Sequence, residues 1–181
     1  MGYALAQAAS EAGAEVTLVS GPTSLRPPSD VRLIGVETTE QMSRAVSDNF
    51  GKADILIMAA APADFKAAVV ADRKIKKSKS PAALEISPTV DILKSLKDRK
   101  RNDQIVVGFA LETENGPANA EAKLRDKGLD LIVLNIVGEK TPFEGDRNTV
   151  SIIGLDGRRE DLPEMSKDDL AIRLIERIAG I

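Results

Sequence analysis

The hydrophobic positions along the chain switch repeatedly between the three-to-four spacing of a helix and the short apolar runs of a strand. Residues 2–12 read as a helix closed by Gly13, and AEVTLVS (14–20) follows as a β-rich run. After the loop GPTSLRPPSD, VRLIGVE predicts a strand, TTEQMSRAVSDNF a helix capped by Thr38 or Thr39, and ADILIMAA a buried strand, together a β-α-β unit. Further on, VDILKSLKDR predicts a helix, QIVVGFAL a strand, NAEAKLRDKG a helix stopped by Gly128, and LDLIVLN another strand. In TVSIIGLDGRRE, Asp156-Gly157 stands between two strand-like arms as a hairpin turn, and SKDDLAIRLIERIA is an amphipathic helix opened by Ser166.

This alternation predicts an α/β fold in a single domain over residues 1–181. The expected architecture is Rossmann-like, a mainly parallel sheet with helices on both faces. A β-hairpin flap at about 66–88 and a carboxyl-terminal hairpin and helix complete it. A doubly wound domain begins with a strand and a tight turn into its first helix, whereas this pattern begins inside a helix. Either the fold starts with a helix or a first strand is missing.

Composition narrows the chemistry. The 181 residues are 43% hydrophobic, enough for one core, and the formal net charge is -3. That balance argues against a nucleic-acid partner, which needs a broad basic face. Neither an apolar run of membrane-spanning length nor a signal-like start is present, so no membrane partner and a cytoplasmic location are expected. With no His and no Cys, a Ser-His-Asp triad, a thiol nucleophile and disulfides are excluded, and zinc is disfavoured. Lysine, arginine, carboxylates, hydroxyls and backbone N–H groups remain. A hard cation such as Mg2+ would arrive on substrate phosphates, so no protein metal ligand is assigned. This inventory suits phosphate chemistry.

Two common nucleotide signatures are absent: there is no G-x-G-x-x-G, and Gly51-Lys52 is followed by Ala53 rather than by a Walker hydroxyl. The sole tyrosine, Tyr3, has Gln7 four residues on, so a tyrosine-lysine hydride relay is lacking. Ligands in open α/β sheets bind at the carboxyl ends of strands, where three stretches stand out. AAAPADF (59–65) combines small residues with Asp64, and reads equally as a tight turn with a capping Asp. RKIKKSK (73–79) gathers five cations in seven positions, either a solvated loop or a clamp for a polyanion. Lys74-Ile75-Lys76 and Leu84-Glu85-Ile86 alternate on either side of SKSP, which predicts a two-stranded flap with Lys74 and Lys76 on one face and Ile75 on the other. VVGFALETEN (106–115) places Phe109 at a strand end, to stack on a base or to pack in the core, and runs on into Glu112.

The ordered set MGYALAQAA, TLVSGP, AAPADF, KIKK, VDIL, VVGFALET, KGLDLIVLN and DRNTV resembles phosphopantothenoylcysteine synthetase over nearly the whole chain. The most specific feature is KIKK beginning ten residues after Asp64. The resemblance implies a ligase that joins 4′-phosphopantothenate to cysteine in coenzyme A biosynthesis, with CTP and Mg2+, through an acyl cytidylate. By position it implies Lys74 as the catalytic lysine. Asp64, Lys74, Val90, Asp91, Ile92, Leu93, Phe109, Lys123 and Lys127 are implied as nucleotide contacts. It further implies a homodimer paired around the flap and, in bacterial relatives, a flavin-dependent decarboxylase domain in the same protein. An ATP-dependent ligase and a silent nucleotide-binding or assembly subunit are the alternatives. A parallel β-α-β reading sets Lys123 and Lys127 on one helical face, at the end of the sheet away from the ligand. The chain departs from the family at Val90, where Pro is usual, and at Ile136, where Asp usually follows the Asn matched by Asn135. The family's first strand and N-x-S-S-G-K loop, whose Asn serves the acyl-cytidylate stage, have no counterpart, so an amino-terminal truncation and weak second-half activity are expected.

Overall fold

In the computed structural model, which describes residues 1–71, 73, 74, 83–112, 114–136 and 147–181, the predicted elements appear in the predicted order. Helix α1 (Gly2–Glu11) is turned back by Gly13 at φ 88°, a left-handed conformation that favours glycine. Strands β1 (Val16–Ser20) and β2 (Val31–Gly35) pair in parallel as a sheet of their own. Helix α2 (Thr39–Phe50) opens with a full capping box, in which Thr38 Oγ1 accepts from Gln41 N and the Gln41 side chain accepts from Thr38 N.

The main sheet has the order β10–β9–β7–β6–β3, built from β3 (Ile55–Met58), β6 (Ile105–Glu112), β7 (Leu131–Ile136), β9 (Val150–Gly154) and β10 (Arg159–Asp161). Pairings β3–β6 and β6–β7 are parallel, while β7–β9 and β9–β10 are antiparallel. The expected mainly parallel sheet is therefore a mixed one. The physical reason is that the carboxyl-terminal hairpin, turning at Gly157 (φ 78°), adds its first arm directly to the edge of β7. Two short antiparallel pairs complete the strands: β4 (Phe65–Ala67) with β5 (Ile86–Pro88), and β8 (Arg147–Asn148) with β11 (Met165–Ser166).

Alternation along the strands sends side chains to opposite faces, and each face is covered. On one, Val106, Ala110, Ile132 and Leu134 pack with α2, with the short helix α3 (Ile92–Leu96) and with α4 (Gly116–Lys127) through Phe50, Leu93, Ala120 and Leu124. On the other, Val107, Leu131 and Val133 meet Leu5 and Ala8 of α1 and Leu170, Leu174 and Ile178 of α5 (Lys167–Ala179). Burying each such aliphatic side chain stabilises the fold by about 1.5–3 kcal/mol before entropy is counted. Gly108 lies where β6 meets Leu129: a Cβ there would stand 2.6 Å from Leu129 Cδ1 and 3.7 Å from Leu93 Cδ1.

The amino ends of the strands are tied by polar clasps. Asp130 accepts from Val106 N at 2.7 Å and from Lys100 Nζ at 2.6 Å, and the buried Gln104 amide donates to Phe50 O and Ala53 O. The opposite, carboxyl ends are left for the loops that carry the candidate residues. Among the described residues no helix is long and apolar enough to cross a membrane.

Candidate functional site

The loop after β3 and the segment before α3 are stitched together by Thr89. Its N–H donates to Asp64 O at 2.8 Å and its hydroxyl donates to Ala63 O. The Asp64 backbone is thereby held beside the segment that leads into Val90 and Asp91. Asp91 then works twice: Oδ1 accepts from Lys94 N at 3.1 Å and caps α3, while Oδ2 pairs with Lys127 Nζ at 3.1 Å. Ile92 and Leu93 are buried in the core, so any ligand contact they make is through the backbone, and Val90 is the exposed apolar side chain of the four.

On α4, Lys123 Nζ pairs with Glu112 Oε1 at 2.5 Å, and Asn119 Nδ2 donates to Glu112 Oε2 at 3.0 Å. These bonds, the lysine's first and the asparagine's second, hold the Glu112 carboxyl below the usual glutamate range. Next to this pair, Lys94 Nζ holds Asp126 at 3.0 Å and lowers its carboxyl likewise. The carboxyl end of α4 does lie beside the amino-end clasp, where Lys100 Nζ reaches Gly128 O at 3.4 Å, but the Lys123 and Lys127 side chains extend from it to Glu112 and Asp91. Glu112 ends β6, and Asp91 precedes α3. Helical Cα–Cβ bonds lean toward the helix amino terminus, and α4 begins just after the carboxyl end of β6, so both long stems run back toward that end of the sheet.

The other candidates are placed differently. Phe109 packs against the α1–α5 core, on the face opposite α3 and α4, so its ring does not join the group around Asp91. Lys74 is exposed and makes no ion pair among the described residues. Strands β4 and β5 pair antiparallel within the expected flap segment, with register Phe65↔Pro88 and Ala67↔Ile86. Of the predicted arm Leu84-Glu85-Ile86, Ile86 pairs with Ala67 and Glu85 O accepts from Ala68 N at 2.9 Å, while Leu84 precedes the pairing. Ile75, Lys76, Lys77 and the SKSP turn lie outside the described residues. A groove of about 810 Å³ between β2 and α2 has Arg32, Glu37, Arg44, Asp48 and Lys52 in its lining and none of the candidate residues. Its charges of both signs do not make an anion site.

Two features of residues in the quoted motifs were not legible from the sequence. Glu112 was visible only as the end of a strand, and its tie to Lys123 depends on how α4 folds back. Asn135, near the carboxyl end of β7, keeps a buried Oδ1 with no hydrogen-bond partner; no spacing rule foretells that.

The profile of the DNA/pantothenate metabolism flavoprotein C-terminal domain family matches residues 1–181. The chain belongs to this family. It is 44% identical over 183 residues to the coenzyme A biosynthesis bifunctional protein CoaBC of Bacillus subtilis (strain 168), covering 100% of this chain and 45% of that protein. It is 40% identical over 180 residues to a cysteine/cysteine sulfinic acid decarboxylase from an unknown prokaryotic organism, covering 98% of this chain and 50% of that protein. A crystal structure of the C-terminal domain of a CoaBC protein superposes with a TM-score of 0.83 at 36% identity, over 99% of this chain and 80% of that one. The chain thus spans about half the length of the curated relatives it matches.

Proposed function

We propose that this domain is a phosphopantothenate–cysteine ligase that uses CTP. The observation that carries the reading is the convergence of Asp91, Lys127, Lys123 and Glu112 at α3 and α4, in a chain 44% identical to a protein of coenzyme A biosynthesis. Two lysines on one helical face, each held by a single displaceable carboxylate, suit a triphosphate, which offers more charge than either acid. In the first half-reaction the carboxylate of 4′-phosphopantothenate attacks the α-phosphorus of CTP and expels pyrophosphate, giving an acyl cytidylate. In the second, the amine of cysteine attacks the acyl carbon, CMP departs with the bonding pair, and the amine loses its proton. Neither half needs a protein nucleophile, consistent with a chain without His or Cys.

In this reading Lys74 stabilises the charge that develops at phosphorus, and Lys123 and Lys127 neutralise the triphosphate. Asp64 and the Val90–Asp91 backbone bound the nucleotide. Among the described residues no group of three acids is placed to hold a metal ion, and Asp91 and Glu112 are already paired. In this reading Mg2+ enters bound to the triphosphate, and no protein cage is assigned to it. The exposed Phe65, Val69, Val70, Leu84 and Ile86 on and beside the flap hairpin support a homodimer formed there. The half-length match supports a flavin-dependent decarboxylase as the other half of a longer cytoplasmic protein, and a relative with a decarboxylase name fits that division. A further strand pairing with the free edges of β1 and β3, which share the cover of α1 and α2, would complete the single domain.

The test is pyrophosphate release with CTP, or ATP in its place, and 4′-phosphopantothenate. Lys74→Gln is expected to lower the rate by about 10²- to 10³-fold, as for one lost transition-state donor, and Lys77→Gln to leave it nearly unchanged. Equal, mild losses in both variants would overturn the assignment of Lys74, and release with ATP alone would overturn that of CTP.

A further inference from the structure

Strands β4 and β5 form a two-stranded sheet of their own and join no strand of the main sheet. Thr89 ties the two feet of this pair to each other through Asp64 O and Ala63 O. Among the described residues, one ion pair links the strands to another element: Lys66 Nζ on β4 donates to Glu40 Oε1 in the first turn of α2. The side on which it forms is informative. Cross-strand partners share a face, so Lys66 and Ser87 point one way while Phe65, Ala67, Ile86 and Pro88 point the other. The pair turns the Lys66 face toward α2 and leaves Phe65 and Ile86 outward, 58% and 57% exposed. Glu40 is suited to hold it, because a carboxylate in the first turn of a helix meets the positive end of the backbone dipole. The bond from Lys66 first, and the backbone N–H of Glu40 second, keep that carboxyl below the usual glutamate range.

We propose that the Lys66–Glu40 pair is a positioning contact for the ligase reaction, setting the inclination of the flap and with it the approach of Lys74 to the reacting phosphorus. The inference rests on the ligase reading and adds to it two residues that act through Lys74. Lys74 lies eight residues beyond Lys66, in the stretch of chain between β4 and β5. It is exposed and makes no ion pair among the described residues, so its place follows from the root of the flap. A two-stranded pair with no sheet beside it has little to fix its inclination. A tie from one arm to α2, a helix that packs into the core through Val46 and Phe50, supplies what is lacking. Both partners are partly exposed, so the tie shifts the balance of flap orientations by about two- to fivefold rather than fixing one outright. Small displacements of a reacting group cost rate steeply, so a weak tie at the root is felt in the chemistry.

The variants are Glu40→Gln, Lys66→Met, Lys66→Arg and the exchanged pair Glu40→Lys with Lys66→Glu, measured by kcat and KM in pyrophosphate release with CTP and 4′-phosphopantothenate. Glu40→Gln and Lys66→Met are expected to lower kcat about two- to fivefold, with the KM for CTP within about twofold of the parent. Lys66→Arg, which can remake the pair, and the exchanged pair are expected to recover most of that loss. The deciding measurement is Glu40→Gln in a Lys74→Gln background, because an effect exerted through Lys74 vanishes once Lys74 is gone. An unchanged kcat in both single variants, the same fold loss with and without Lys74, or a loss that neither Lys66→Arg nor the exchanged pair recovers would overturn the proposal. A raised KM for CTP in Lys66→Met alone would do so too, since Lys66 would then meet the nucleotide itself. If the exchanged pair does not fold, Lys66→Arg and the Lys74→Gln background decide. Failure of the parent protein to release pyrophosphate would instead overturn the ligase reading, and an unaltered rate in Lys74→Gln would overturn the role of Lys74 and this proposal with it.

Discussion

Glu112→Gln removes the charge that holds Lys123 in the unliganded domain while keeping the shape of the side chain and a carbonyl for Asn119. The Glu112 side chain is 13% exposed and that of Lys123 is 44%, so solvent screens the pair. Such pairs are worth about 0.2–1 kcal/mol, and the substitution is expected to lower stability by that amount, read as a shifted denaturant midpoint at constant slope. If the triphosphate takes over the lysine, the same energy no longer opposes binding. A gain of up to about 1 kcal/mol makes CTP bind up to about fivefold more tightly, by titration calorimetry at low salt. Lys123→Met is expected to weaken CTP binding. The sign with pH follows from the lowered carboxyl. The stability advantage of wild type over Glu112→Gln is fully present above the ordinary glutamate range and is lost as pH falls through the lower folded value. Weaker or unchanged CTP binding in Glu112→Gln, together with the expected loss of stability, would refute the idea that Lys123 changes partners.

Asp91→Asn retains a side-chain oxygen to cap α3 but loses the ion pair with Lys127, so it is expected to cost a few tenths of a kcal/mol, while Asp91→Ala costs about 1 kcal/mol in denaturant melts. Gly108→Ala pushes a methyl against the buried Leu129 and is expected to destabilise by about 1–3 kcal/mol with little change in CTP affinity. Phe65→Lys puts a charge into the exposed apolar surface of the flap and is expected to shift sedimentation toward monomer. An unaltered dimer would place the interface elsewhere.

The identity and order of the main elements were legible because their ends carry local chemistry: the Thr38–Gln41 capping box, the Ser166 cap, and glycines at 13, 128 and 157 with positive φ. The direction of pairing was not. Val150–Gly154 is a short apolar run with its first four residues buried, and such a run reads the same whether it joins a sheet parallel or antiparallel. The separation of β1 and β2 into a sheet of their own is equally invisible to periodicity, since it depends on which strand lies next to β1.

Among the candidate residues, Asp64 and Asp91 share an end of the sheet because of Thr89, whose two bonds to residues 63 and 64 reach across the flap. Lys123 and Lys127 show the limit of reasoning from helix axes. Their shared face was legible from spacing, but their ammonium groups lie a stem's length from their Cα atoms, and only the fold reveals that each meets an acid from a different element. Those acids also suggest why the lysines suit a charged ligand. A lysine buried in a strong pair would not exchange partners, and one free in water would have to be ordered on binding. Weak, partly exposed pairs avoid both costs. They hold each ammonium near the carboxyl ends of the strands, yet a triphosphate need overcome only about 1 kcal/mol to take it.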